Sequence, residues 1–167
     1  MQSGERSAKE SPLSVVFYEI HMLNHAATYL EPEILDRKDH IANAWQEVYL
    51  LHYRNLIEFF SSHKPRTRKP HQSILDAADD MTYLRPLTWA GRDIQEDELR
   101  PAVERGDDLH ANHFDPISRY LQHCTDWRHE LPKEWGYPTM HRKMTEVLEM
   151  MYTVMARHGI DKPPPMR

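Results

Sequence analysis

The chain is poor in the residues that mark several protein classes. It has one cysteine, Cys124, which excludes an intramolecular disulfide and fits a reducing, cytoplasmic compartment. Only five glycines occur, and none of them forms a Gly-rich linker. Alternating apolar and polar runs are missing, as are the Asn-Gly and Asp-Gly dipeptides of tight hairpins, so strands are not expected. No apolar run approaches the roughly 18 residues of a membrane span, and the polar N-terminal residues do not read as a signal peptide. Cationic excess is also absent. A formal charge of −5 argues against generic adhesion to nucleic acid. Twelve histidines temper this, because half-protonating them near their ordinary pKa of about 6.5 would roughly cancel the charge.

What remains is a chain of 167 residues, the size of one ordinary domain, with 12 prolines and nine methionines. A chain of this length buries roughly two thirds of its unfolded surface and needs no disulfide or structural metal to fold. Residues 1–12 read as a disordered lead-in, 13–160 as a single helical domain, and 161–167 as a proline-rich tail. Val16, Ile20, Leu23, Ala27 and Leu30 recur at helical spacing, predicting a first helix that Pro32 stops. A longer second helix is expected from about Lys38 to Ser61, with Ile41, Ala44, Trp45, Val48, Leu51, Leu56, Phe59 and Phe60 as its apolar stripe. Asp93 resembles an N-cap with Glu96 three residues on, and Arg105-Gly106 is expected to close that helix. Asp115-Pro116 reads as the start of another helix, through Ile117, Tyr120, Leu121 and Cys124. The last helix has the cleanest pattern: Met140, Met144, Val147, Leu148, Met151, Val154 and Met155, ended by His158-Gly159. The expected fold is all-α, an antiparallel bundle of four to five helices.

Chemistry has few places to sit. His21 and His25 lie four apart and His110 and His113 three apart, spacings a helix could use to chelate, which leaves a His-ligated metal protein as one reading. No Glu is followed three residues later by His, so the di-iron bundle pattern is missing, and the reading assigns no metal and no cofactor. Cys124 falls on an apolar stripe and reads as a small buried hydrophobe. The loop carrying Lys64, Arg66, Arg68 and Lys69 is the strongest electropositive feature and a candidate phosphate-backbone contact. The second helix is the most informative segment, because polar residues interrupt its apolar pattern. At 100° per residue Glu47, Arg54 and Glu58 project together, while His52, Asn55 and Phe59 share a neighbouring line. Buried Arg and Glu without partners would cost several kcal/mol, so these side chains are either solvated or built into a network.

Asn43, Ala44, Glu47, His52, Arg54, Asn55, Leu56, Ile57, Phe59 and Phe60 on this helix resemble a motif of uncharacterised bacterial helical proteins. The stretch Tyr18 to Leu23 and the residues Ile117, Leu121, His123 and Thr125 are similar to further elements of that group, so the resemblance runs over roughly residues 17–128. Its helical layout is similar to the HEPN superfamily of four-helix domains, often dimeric, many of them metal-independent ribonucleases of toxin and defence systems. The resemblance implies a composite site in which Arg holds a phosphate and His moves a proton. On this chain the implied residues are His52, Arg54 and His123. The family's Arg-polar-His spacing is not kept after Arg54-Asn55, because His63 follows eight residues later; Arg66 to His71 and Arg105 to His110 do keep it. The expected function is therefore a non-catalytic interaction module for a protein partner or RNA, acting as a homodimer away from membranes. The alternative is a HEPN-type endoribonuclease.

Overall fold

In a computed structural model, described for residues 12–31, 39–62, 94, 96–122 and 135–160, every regular element is helical and no described residue lies in a strand. The elements are α1 (Pro12–Ala27), α2 (His40–Phe60), α3 (Glu96–Leu109), a π-helical turn (His110–Phe114), α4 (Asp115–Gln122) and α5 (Tyr137–Arg157). Because α3, the π turn and α4 run on without a break, the bundle has four helical columns, as the all-α reading requires. Residues 1–11 of the expected lead-in, the basic loop Lys64–Lys69, the segment 72–92, the Asp93 cap, His123, Cys124 and the proline-rich tail lie outside the described residues, and Pro12, expected to end the lead-in, begins α1.

Helix α2 is the axis. Asp39 caps it, accepting from the backbone N–H of Ile41 at 3.0 Å and of Ala42 at 2.9 Å. At 21 residues it is about 32 Å long. Helix α1 packs along one flank, and α3, the π turn and α4 pack along the other. Helix α5 packs closely on α3 and reaches α2 mainly through long side chains. This two-sided burial widens the buried face of α2 beyond the expected stripe, keeping Leu56 and Phe60 inside and Trp45, Val48 and Phe59 against the core. Tyr49, Leu50, Tyr53, Leu56, Ile57 and Phe60 are buried, whereas Ile41 and Leu51 are 46% and 43% exposed. A central helix with neighbours on both flanks buries more than one apolar stripe, and the tyrosines take the interior.

Elsewhere the apolar pattern is a good guide. In α1, Ile20, Leu23 and Leu30 are buried, with Ala26 in place of Ala27. The α-helix ends at Ala27, and a turn carries Leu30 back onto the core, its N–H donating to the Ala27 carbonyl at 3.2 Å. All seven expected core residues of α5 are buried. Its end is a Schellman motif. The Ile160 N–H donates to the Met155 carbonyl at 2.9 Å across Gly159, whose φ of +67° is the left-handed conformation glycine tolerates.

The third column departs from expectation. Arg105-Gly106 does not close α3, and Asp115 is no extended cap: its φ/ψ of −65°/−47° is helical. Gly106 is a contact residue. A Cβ there would stand 2.3 Å from the carbonyl oxygen of Phe60, so its missing side chain lets α3 cross the end of α2. Pro116 explains the π turn, since it cannot donate to the carbonyl four residues back and its ring crowds that carbonyl. Widening the helix over His110–Phe114 accommodates both. Pro101, expected to restart a helix, instead lies exposed inside α3.

Candidate functional site

The polar residues of α2 are built into three separate networks, each tied to a different neighbour. Toward α1, one carboxylate oxygen of Glu19 accepts from His52 Nδ1 at 2.7 Å and from Asn55 Nδ2 at 3.0 Å. The carboxylate is the acceptor, so Nδ1 of His52 carries the proton. Tyr18 meets the His52 ring edge-on at 5.9 Å. The expected shared line of His52 and Asn55 is real, and Glu19 is what gathers it.

Toward α4, Arg54 donates from Nε to Ser118 Oγ at 2.8 Å, and its guanidinium lies 4.8 Å over the Phe114 ring. His110 stacks on the same phenyl ring at 4.3 Å. Arg54 and Glu58 form the expected i,i+4 pair, at 4.0 Å, both half-buried. Glu47 lies half-buried on the same flank of α2. His52 and Arg54, two positions apart, thus point to opposite flanks and are not brought together. Arg105 and His110 are not paired either: Arg105 donates to Glu146 on α5 at 2.7 Å. That ion pair holds the Glu146 carboxyl below its ordinary range. His123, Lys64, Arg66, Arg68 and Lys69 fall outside the described residues.

The third network faces inward. The Tyr53 hydroxyl lies 3.1 Å from His113 Nδ1 on the π turn. Tyr53 stacks on Tyr49 at 5.8 Å, and Tyr49 meets Tyr137 of α5 edge-on at 5.2 Å. The Tyr137 hydroxyl donates to Gln46 Oε1 at 3.2 Å. Burial pushes all three phenols well above their ordinary pKa, so they stay neutral. Burial lowers His113 and His141, and the Lys143 ammonium lowers His113 further.

Glu19, Ser118, Phe114, Tyr53 and His113 were missed as site residues. Glu19 had a signal: it is the one acid within the mostly apolar Phe17–Leu23 stretch, which also holds His21. Ser118 and Phe114 had none, because their roles come from α4 crossing α2, a contact 64 residues apart in sequence.

Outside these networks, an aromatic seam runs along the outside of the α1–α2 pair. Tyr29 and Trp45 stack at 4.2 Å with planes 6° apart, His25 meets both edge-on at 5.3 and 5.5 Å, and His21 stacks on His25 at 6.1 Å. On the same two helices Tyr18 and Ile41 are 47% and 46% exposed. Among the described residues, no group of three or more His, Cys, Asp or Glu side chains could hold a metal ion, and no helix is long and apolar enough to cross a membrane. No protein-family model, curated protein or solved structure matches the chain.

Proposed function

We propose that the chain is a helical interaction module that pairs with a second copy of itself through the aromatic seam of α1 and α2. The seam carries the reading. It sets the exposed side chains of Tyr18, His25 and Ile41 beside half-buried Tyr29 and Trp45 on a helix pair whose α1 packs on α2. Aromatic side chains of this kind supply large contact area at low entropic cost and are enriched at interface cores. One face meeting its own copy across a two-fold axis needs no second complementary surface. The dispersal of α2's polar groups to three different neighbours supports binding over chemistry, since a reaction needs its groups to converge. The acidic net charge favours a protein partner over RNA. Sedimentation equilibrium at micromolar concentration is the test. Wild type is expected at twice the chain mass, and Trp45→Ala with Tyr18→Ser at the monomer mass with unchanged helicity. A folded wild type that stays monomeric at tens of micromolar overturns the proposal.

One observation favours a second reading, the metal-independent ribonuclease that the HEPN resemblance implies. Arg54 and His110 both pack on Phe114, with Ser118 beside Arg54. In this reading Arg54 holds a phosphate and His110, rather than His52, moves the proton. Incubation with a labelled RNA pool in EDTA decides it. Cleavage by wild type that is lost in both Arg54→Ala and His110→Ala supports the ribonuclease. No cleavage by folded wild type removes it.

A further inference from the structure

We propose that Tyr49 and His141 together hold an ordered internal water that joins α2 to α5. Tyr49 is fully buried, and its hydroxyl has no hydrogen-bond partner. Nδ1 of His141 is likewise buried and unpartnered. The two rings lie 6.1 Å apart at 48°, so both unsatisfied groups belong to one junction. The third such atom among the described residues, Nε1 of Trp135, belongs to a ring that packs on Tyr120 of α4 and is not counted to this junction. Buried polar groups in native proteins find partners, so two orphans on adjoining rings mark a place where the protein's own groups do not complete the bonding.

The chemistry selects the ligand. Tyr49 is a neutral phenol and His141 a neutral imidazole, each by burial first. Such a pair offers one O–H and one ring nitrogen that donates or accepts according to tautomer. Water matches either tautomer, because it donates and accepts through one atom. Tyr49 cannot readily swing to close the gap itself, since Tyr53 stacks on it and Tyr137 meets it edge-on. α5 approaches α2 through Tyr137, Tyr49, His141 and Gln46 rather than by close backbone contact. Bridging waters of this kind are part of the structure and are costly to remove.

Water–protein NOE measurements on the isotopically labelled full chain test this directly. The folded wild type is expected to show a long-lived water contact to the ring protons of both Tyr49 and His141. Tyr49→Phe and His141→Phe should each lose the contact at the remaining partner and each melt lower than wild type. The double variant should melt no lower than the worse single, because both substitutions remove the same bridge. Absence of the NOE in folded wild type overturns the proposal. So does a Tyr49→Phe variant that melts higher, or a double variant whose losses simply add. If a variant does not fold, the wild-type NOE decides alone.

Discussion

Replacing Gly106 by alanine should destabilise this protein, although the same change in an ordinary helix stabilises. Alanine in a helix interior is favoured over glycine by about 1 kcal/mol. At position 106 the added Cβ would stand 2.3 Å from the Phe60 carbonyl oxygen, 2.7 Å from its carbon and 2.8 Å from its Cβ. Two of these atoms are backbone, so no rotamer change relieves the clash, and α3 must move off α2. That movement strains the neighbouring residue. Asp107 accepts from Ser61 Oγ at 2.6 Å and Ser62 N–H at 2.8 Å through one oxygen, and from Ser62 Oγ at 2.7 Å through the other. Overpacking of this kind costs roughly 1–3 kcal/mol. Weakening three bonds to a carboxylate, worth about 1.5 kcal/mol or more each when intact, adds to it. Set against the propensity gain, the net loss should be about 3 kcal/mol, or roughly 6–12 °C in a thermal melt followed by circular dichroism. An unchanged or higher Tm would refute the close crossing of α2 and α3.

Glu19→Ala should cost about 2–3 kcal/mol in a urea titration, because it leaves buried His52 and half-buried Asn55 without their shared acceptor. Glu19→Gln, which keeps a carbonyl acceptor, should cost less; equal losses would show that charge rather than hydrogen bonding matters there. Asp107→Ala should destabilise by about 2 kcal/mol, and Asp107→Asn by less, since only the carboxylate can accept from all three donors at the end of α2. Stability should also fall with acid. His113 and His141 bind their protons less readily folded than unfolded, so the unfolded state takes up more protons as pH drops below about 6.5. The contribution is complete above pH 6.5 and is lost as pH falls toward the lowered folded values. Melts between pH 8 and 5 should show that slope, and His113→Gln should flatten it.

The sequence carried the fold where local pattern and burial agree, and failed where a distant contact decides. Helix α5 has one neighbouring layer and one apolar stripe, so Met140 to Met155 named its core and His158-Gly159 its end. Helix α2 has neighbours on both flanks, so its buried set only overlaps the expected stripe: Leu56 and Phe60 are inside as expected, but Leu51 is outside while Tyr49 and Tyr53 are inside. Gly106 and Asp115-Pro116 carry ordinary stop and start signals, yet the helix continues through both. The reason for Gly106 is Phe60, 46 residues away, which no local rule can see.

The same division applies to the candidate site. Periodicity put His52 with Asn55 and Arg54 with Glu58, and both pairings are present. It could not say which partner each pair meets, and those partners decide what the residues do. Glu19 fixes the proton of His52 on Nδ1 and orients the ring inward, whereas Ser118 and Phe114 turn Arg54 to the opposite flank. An arginine and a histidine two positions apart on a helix project about 200° apart, so one monomer cannot bring them to one phosphate without another element. In the proposed ribonuclease reading, His110 is that element. It reaches Phe114 because the two residues lie four apart within the π turn that Pro116 induces. If a reacting pair exists in this chain, its arginine was visible in the sequence and its histidine depended on a proline six residues further on.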